Sequence, residues 1–270
     1  MRCFLAGILM LAGLVGASAA PAVLTVTDLP YGDLPRQKLD LYLPAGEAGD
    51  GPVLVFFYGG GWERGAKQDL AETATSLAAS GMIVAVPDYR LYPQAVFPQF
   101  VEDCAKAVSY VWQSVRRPDG SARRLFVGGH SAGAFNAVML AADERYLAAA
   151  GVPSDAVAGY VLLSGPYNMG GYLPAPYAAI FPAPDRDRAD ANAFVDGGEA
   201  PVLLMTVDAD DVVDPRNTDR LAATVMAHGG RAIVATYKGS DHIATFRGLS
   251  HPASAVRTDL AAFILAVSAQ

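Results

Sequence analysis

Two hydrophobic patterns alternate along the chain and predict its secondary structure. Residues 53–57 and 82–86 are apolar at every position, which is typical of strands covered on both faces of a sheet. Residues 68–80 lie between them with the period of an amphipathic helix, so the three segments predict a β-α-β unit. The same alternation predicts the later elements, which are helix 101–115, strand 125–127, helix 134–142, strands 160–163 and 202–207, helix 219–228, strand 233–237 and helix 253–267.

The pattern near the N-terminus is different. Residues 38–43 alternate strictly between polar and apolar types, which predicts a half-exposed strand, and residues 23–27 predict another strand just before it. We expect the two to form an antiparallel hairpin at a sheet edge. The repeated β-α-β units otherwise predict a single α/β domain over residues 20–270, with a mostly parallel sheet and helices on both faces. Its ligand site should lie at the carboxyl ends of the strands.

One interval, residues 165–200, interrupts this rhythm. It contains several Pro and Gly residues together with Tyr167, Tyr172 and Tyr177, but no long periodic segment. We expect it to be an insertion that covers the carboxyl edge of the sheet as a short lid or pocket wall. A plain surface loop is the alternative.

The first residues have the pattern of a secretory signal peptide. Arg2 supplies a positive charge, residues 4–15 are apolar, and the small residues 17–19 provide a cleavage site. We therefore expect residues 1–19 to be removed and the protein to be periplasmic or secreted. No later apolar run is long enough to span a bilayer, so we expect no stable membrane association.

Charge and cysteine content narrow the class of protein further. The chain has 20 Lys and Arg against 27 Asp and Glu, a formal net charge of −7, so nucleic acid is not an expected partner. Cleavage of the signal segment would leave Cys104 as the single cysteine, and no intramolecular disulfide is then possible. Cys104 lies in predicted helix 101–115, where we expect a buried, unreactive thiol. The sequence indicates no particular oligomeric state.

A serine at a predicted corner between strand and helix is the strongest sign of chemistry. Ser131 follows a buried strand and precedes a helix, with Gly129 and Gly133 on either side. Glycine there removes the Cβ atoms that a sharp corner would bring into collision. The corner would hold the Ser131 hydroxyl above the sheet as a nucleophile. The amide of Ala132 at the helix start would be available to stabilise a developing negative charge.

A run of three glycines follows the first buried strand. Without side chains in the way, the amides of Gly60 and Gly61 can turn toward a ligand, as an oxyanion hole requires. Together with the Ala132 amide they are the candidate donors. The alternative is a structural loop packed under Trp62 that faces no ligand.

An activated serine needs a general base, and the sequence contains four histidines. His130 is next to Ser131 within the corner and is expected to point away from it. His228 is interpreted as the end of one helix and His251 as the start of the last helix. His242 follows the last predicted strand at the carboxyl edge of the sheet, and it is therefore the predicted base.

The group that would orient His242 is a carboxylate in the acidic loop after strand 202–207. Loop position favours Asp210, with Asp208 as the second choice. A calcium loop is a weaker interpretation of this run, because the glycine at the sixth position and the glutamate at the twelfth are missing, and we predict no metal site. The chain order Ser131, Asp210, His242 is that of α/β-hydrolases.

These features together resemble bacterial α/β-hydrolases of the esterase and lipase superfamily, near the hormone-sensitive-lipase and kynurenine-formamidase groups. The resemblance spans nearly the whole chain after the signal segment, and its motifs are residues 53–62, 87–93, 129–133 and 241–242. It implies the α/β-hydrolase fold. It also implies that Gly60 and Gly61 supply oxyanion donors and that Asp210 is the acid.

The sequence departs from the family pattern at three places. Tyr58 replaces the histidine of the oxyanion loop, so we expect a phenol to brace that loop. Thr206 and Val207 replace the His-Gly pair that precedes the acid, which keeps Asp208 open as an alternative to Asp210. The large N-terminal helical cap of hormone-sensitive-lipase relatives is not evident, so we expect a more open pocket.

The sequence therefore predicts a secreted serine hydrolase that cleaves small carboxylic esters through an acyl-enzyme, without a metal or organic cofactor. Its expected partner is a small-molecule ester. The nearest alternative, implied by the resemblance, is an arylformamidase. A non-catalytic binding module is a second alternative. A lipase that works at a lipid interface is disfavoured, because residues 185–188 within the insertion are charged.

Overall fold

The computed structural model describes residues 23–44, 51–171, 173–238 and 241–269 of the protein. The predicted signal segment, residues 1–19, lies outside the described residues. Eight strands in the described part form one sheet, and they are β1 Val23–Pro30, β2 Lys38–Pro44, β3 Val53–Phe57, β4 Ile83–Pro87, β5 Leu125–His130, β6 Val157–Leu163, β7 Val202–Val207 and β8 Ala232–Tyr237.

The strand order across the sheet is β1-β2-β4-β3-β5-β6-β7-β8. β2 pairs antiparallel with both β1 and β4, and every other neighbouring pair is parallel. The predicted mostly parallel α/β sheet and the antiparallel hairpin at its edge are thereby confirmed. Because β3, β5, β7 and β8 run in the same direction, the loops that follow them meet at one edge of the sheet.

Helices cover the sheet on both faces, since β3, β4, β5 and β7 are buried at every position. The Cys104 side chain, which was predicted to be buried, is completely buried on the amphipathic helix α2. No helix in the described ranges combines the length and the apolar character needed to cross a bilayer. The helices are α1 Ala71–Ala78, α2 Gln99–Ser114, α3 Ala132–Ala142, α4 Arg145–Ala149, α5 Tyr177–Ile180, α6 Ala183–Arg186, α7 Arg216–Ala227, α8 Ala244–Ser250 and α9 Ala255–Ser268.

The prediction of a half-exposed β2 holds for the strand as a whole, which stays partly exposed at Leu41 and Leu43, but it is wrong for the polar side. Asp40 and Tyr42, on the side predicted to face solvent, are 3% and 4% exposed. This side is covered by α1 and the 3-10 turn before it, from which Lys67 reaches Asp40 with its Nζ 2.6 Å from Oδ1. The polar position in the alternation is therefore one half of a buried ion pair, and β1 takes the exposed edge of the sheet instead.

Four short helices of the described residues, α4, α5, α6 and α8, were not predicted from the sequence. α4 follows α3 after a brief turn, and α8 occupies the region just before the predicted last helix. His251 ends α8 and does not start the last helix, so that interpretation is corrected. α9 begins at Ala255, where the Ser254 hydroxyl accepts a hydrogen bond from the Arg257 amide. His228 caps the end of α7, as predicted.

Candidate active site

The corner between β5 and α3 holds Ser131 in a strained backbone conformation, with φ 56° and ψ −122°. Its amide donates to the Leu163 carbonyl of β6 at 2.9 Å, which ties the corner to the neighbouring strand. A Cβ atom at Gly129 would lie 2.4 Å from the Gly133 oxygen, and a Cβ atom at Gly133 would lie 2.2 Å from the Phe57 oxygen. Both glycines are therefore required by close approach of the backbone.

The glycine loop after β3 lies directly against this corner. A Cβ atom added at Gly59 would be 3.0 Å from the Ser131 Cβ atom. Gly60 and Gly61 have φ values of 117° and 62°, and within the described residues neither amide donates to a protein acceptor. The Ala132 amide is at the first position of α3, where a helix offers it no acceptor of its own. The three predicted donors line the same cavity as Ser131, and their N–H groups have no protein acceptor in the described part of the chain.

The carboxylate and imidazole predicted from the sequence are hydrogen bonded to each other. His242 Nδ1 lies 2.9 Å from Oδ2 and 3.1 Å from Oδ1 of Asp210. The Asp210 side chain is fully buried and also accepts from the amides of Val212 and Val213 at 3.0 and 2.9 Å. Asp208 is exposed at the end of β7, so the carboxylate against His242 is that of Asp210.

Electrostatics in this pair favour the charged carboxylate. Burial is the largest single influence and acts to raise the pKa of Asp210. The hydrogen bonds from the Val213 amide, the His242 imidazole and the Val212 amide together outweigh it, so the pKa of Asp210 is lowered below its usual value. An ionised Asp210 fixes the His242 proton on Nδ1 and leaves Nε2 free to accept a proton.

His130 has a role in the site that the sequence did not reveal. Its Nε2–H donates to the His242 carbonyl at 2.9 Å, and the two imidazole rings pack with centroids 4.7 Å apart. Burial, assisted by the nearby His242, lowers the pKa of His130 to about 4, so this ring is neutral near pH 7. His130 therefore supports the segment that carries His242, a contact that sequence adjacency to Ser131 could not indicate.

A cavity of about 990 Å³ opens over these groups. Ser131, His242 and the glycine loop line its floor, and Met169, Leu173 and Tyr177 of the insertion form an apolar wall. The insertion is thus part of the pocket. The charged residues that line the cavity are mainly acidic, namely Glu63, Asp69, Asp211, Asp214 and Asp241, with Arg64 as the basic residue of the lining. In the described ranges no three His, Cys, Asp or Glu side chains converge as metal ligands would.

A serine at a strained corner above the carboxyl edge of a mostly parallel sheet is characteristic of the α/β-hydrolase superfamily, and this chain has that fold. The sequence model of the prolyl oligopeptidase family matches residues 99–268, more than half of the chain, and the chain belongs to this family. A second family model, BD-FAE, matches residues 39–151. The resemblance inferred from the sequence motifs is thereby confirmed.

Similar proteins include hydrolases of several kinds. An isoprenylcysteine alpha-carbonyl methylesterase of Arabidopsis thaliana is 35% identical over 143 residues, which cover 52% of this chain and 34% of that protein. A kynurenine formamidase of Danio rerio is 31% identical over 147 residues, or 54% of this chain and 47% of that protein. The chain thus spans less than half the length of either relative. A solved structure, the truncated form of a carbohydrate esterase from gut microbiota, superposes with a TM-score of 0.77 at 19% identity, over 94% of this chain and 99% of that one.

Proposed function

We propose that this protein is a serine hydrolase that cleaves small carboxylic esters. The observation that carries the proposal is the hydrogen bond between Asp210 and His242, because His242 lines the same cavity as the strained Ser131 corner. A serine hydroxyl and an imidazole in one cavity, with a carboxylate hydrogen bonded to the imidazole, are the three groups that acyl transfer by covalent catalysis requires.

The first half of the proposed reaction acylates Ser131. Its Oγ attacks the ester carbonyl while His242 Nε2 accepts the hydroxyl proton, and Asp210 stabilises the imidazolium that forms. The carbonyl oxygen becomes an oxyanion that accepts hydrogen bonds from the amides of Gly60, Gly61 and Ala132. When the tetrahedral intermediate collapses, the C–O bond to the alcohol breaks and His242 returns the proton to the departing oxygen.

The second half releases the acid. A water molecule gives a proton to His242 Nε2 and attacks the acyl carbon, and a second tetrahedral intermediate forms in the same oxyanion site. Its collapse breaks the bond to Ser131 Oγ, which takes the proton back from His242. No metal or organic cofactor takes part in this scheme.

An ester is the favoured substrate for two reasons. The apolar wall formed by Met169, Leu173 and Tyr177 suits an uncharged acyl or alcohol group. The methylesterase of Arabidopsis thaliana and the gut carbohydrate esterase, both similar to this chain, are named for ester cleavage. We take a small-molecule ester as the partner of the cavity.

An arylformamidase is the second candidate. It is favoured by the similarity of this chain to the kynurenine formamidase of Danio rerio. The same groups would cleave an N-formyl amide, with His242 protonating a departing nitrogen. Relative turnover of formylkynurenine and phenyl acetate by the purified protein separates the two candidates. An alanine p-nitroanilide added to the panel tests the peptide chemistry suggested by the name of the matched family.

The test of the proposed function is hydrolysis of p-nitrophenyl acetate, butyrate and octanoate by the protein and by its Ser131→Ala variant. We expect kcat to fall by at least about 10³-fold in the variant. Ser154→Ala, on an exposed turn, is the matched control and should leave kcat unchanged. Absence of turnover with every ester, formamide and anilide would contradict a hydrolase and favour a non-catalytic binding module.

We also propose that the protein is exported after cleavage of residues 1–19. The proposal is supported by the order of residue types at the N-terminus, where a positive charge is followed by an apolar run and then by small residues. N-terminal sequencing of the protein secreted by a bacterial host tests this proposal. A start at residue 20 is expected, and an intact Met1 on the exported protein would contradict it.

A further inference from the structure

The loop that carries the oxyanion donors is held at both ends by a side chain from a distant part of the chain. Arg36 lies in the turn between β1 and β2, and its Nη2 donates to the Tyr58 hydroxyl at 2.6 Å and to the Gly65 carbonyl at 2.9 Å. Tyr58 stands at the start of the glycine loop and Gly65 at its end. One guanidinium group therefore connects the two ends of the segment that contains Gly60 and Gly61.

The same guanidinium group also contacts the turn after β4. Arg36 Nε donates to the Tyr89 carbonyl at 2.8 Å, and Nη2 lies 3.3 Å from Asp88 Oδ1. Asp88 Oδ1 also accepts from the Lys67 amide at 2.9 Å, just beyond the loop. The planar fork of an arginine suits this set of acceptors, whereas the single ammonium group of a lysine would not reach all of them.

Tyr58 is the acceptor that couples this arginine to the loop. Its ring is buried and stacks on the Tyr89 ring with centroids 4.6 Å apart, and the Tyr89 hydroxyl donates to the Tyr58 carbonyl at 2.8 Å. A Cβ atom at Gly65 would lie 2.6 Å from the Tyr58 ring, so the far end of the loop packs directly on it. A shift of the phenol would therefore move both ends of the loop.

We infer that Arg36, acting through Tyr58, is a positioning residue for the oxyanion hole. This inference rests on the proposed function, because the Gly60 and Gly61 amides matter only if an oxyanion forms between them and Ser131. Arg36 does not reach the cavity floor itself. It sets the place of donors that must lie about 2.7–3.1 Å from an oxygen present only in the transition state.

Loss of this contact should affect kcat and spare substrate binding. Misplacement of catalytic donors by about 1 Å lowers the rate about 10²-fold. We therefore expect Arg36→Met to lower kcat about 10- to 100-fold with KM changed less than about twofold, because the ground-state ester does not depend on the oxyanion donors. Arg36→Lys should recover only part of the loss.

Tyr58→Phe removes the acceptor and keeps the ring that stacks on Tyr89. It should lower kcat in the same way. The double variant with Arg36→Met should be no slower than Arg36→Met alone, since Arg36→Met already breaks the contact that Tyr58→Phe removes. Arg145→Met is the matched control, because it removes a surface arginine of α4 that pairs with Asp143. Its kcat should equal that of the unmodified protein.

The experiment measures kcat per competent site, counted by titration with a fluorophosphonate, together with hydrogen exchange of residues 58–66. The inference expects a lower kcat per site in Arg36→Met and exchange at least about tenfold faster in this segment, with β3 and β5 unchanged. Wild-type kcat per site and unchanged exchange would overturn it. A fall only in the number of competent sites would also overturn it, since Arg36 would then serve folding alone. If the unmodified protein lacks turnover, the proposed function fails, while exchange still tests the contact of Arg36 with the loop.

Discussion

Replacement of Asp210 by asparagine is the most informative perturbation of the site. In the structure, Asp210 Oδ1 accepts the amides of Val212 and Val213, while Oδ2 is the oxygen at 2.9 Å from His242 Nδ1. In Asp210→Asn the introduced oxygen must remain at the two amides, so the introduced NH₂ group faces His242. His242 then carries its proton on Nε2, where it cannot accept the proton of Ser131.

The expected effect is a fall in kcat of about 10³–10⁴-fold, equivalent to about 4–5.5 kcal/mol of lost transition-state stabilisation. KM for p-nitrophenyl butyrate should change little, because the cavity wall is untouched. The matched control is Asp208→Asn, which removes the neighbouring exposed carboxylate and should stay within about threefold of the unmodified protein. Equal losses in both variants, or a larger loss in Asp208→Asn, would refute the assignment of Asp210.

The same variant has a consequence for stability that depends on pH. The pKa of Asp210 is lowered in the folded protein, so the ionised side chain contributes to the free energy of unfolding. This contribution is present above the pKa of the unfolded chain, about 3.9, and is lost as the pH falls through the pKa of the folded protein. Asp210→Asn should therefore show a smaller decrease in melting temperature below about pH 4 than the unmodified protein does. An identical decrease in both proteins would contradict the lowered pKa.

Three further predictions concern other parts of the site. Gly133→Ala places a Cβ atom 2.2 Å from the Phe57 oxygen and should lower the melting temperature by roughly 4–10 °C. The decrease should be larger than in Gly170→Ala, whose added Cβ atom meets nothing closer than 3.4 Å, and equal shifts would contradict the close approach. His130→Phe keeps a ring but removes the donor to the His242 carbonyl, so kcat should fall about tenfold at constant KM. A changed KM with constant kcat would be inconsistent with support of the His242 segment by His130. The acidic cavity lining should repel the negatively charged p-nitrophenyl hemisuccinate, so its kcat/KM should be about tenfold lower than that of p-nitrophenyl butyrate in low salt. A difference that persists in 1 M salt would argue against charge as the cause.

Local patterns were enough to predict the parts of the fold that depend on neighbouring residues. The corner at Ser131 is defined by glycines two residues away on each side, and their close contacts account for the pattern. The buried strands were equally clear because they are apolar at every position. The hairpin was predicted too, but the burial of Asp40 was not, because its partner Lys67 comes from a separate turn.

Contacts between distant segments could not be predicted in the same way. Asp208 and Asp210 occupy one loop, and only the path of the backbone after β7 decides which of them faces His242. Arg36 is far from Tyr58 in sequence and lies in an ordinary turn, so nothing in its surroundings indicates a link to the glycine loop. The catalytic roles of Ser131 and His242 stay predictions until they are measured.

Covalent labelling tests the central claim most directly. The protein is treated with a fluorophosphonate, digested and analysed by mass spectrometry, beside the His242→Ala variant. The proposed mechanism predicts one label per molecule on the peptide that contains Ser131, with labelling at least about 10²-fold slower in the variant because the serine has lost its base. A protein that remains unlabelled, or that carries the label on another residue, would contradict Ser131 as the nucleophile.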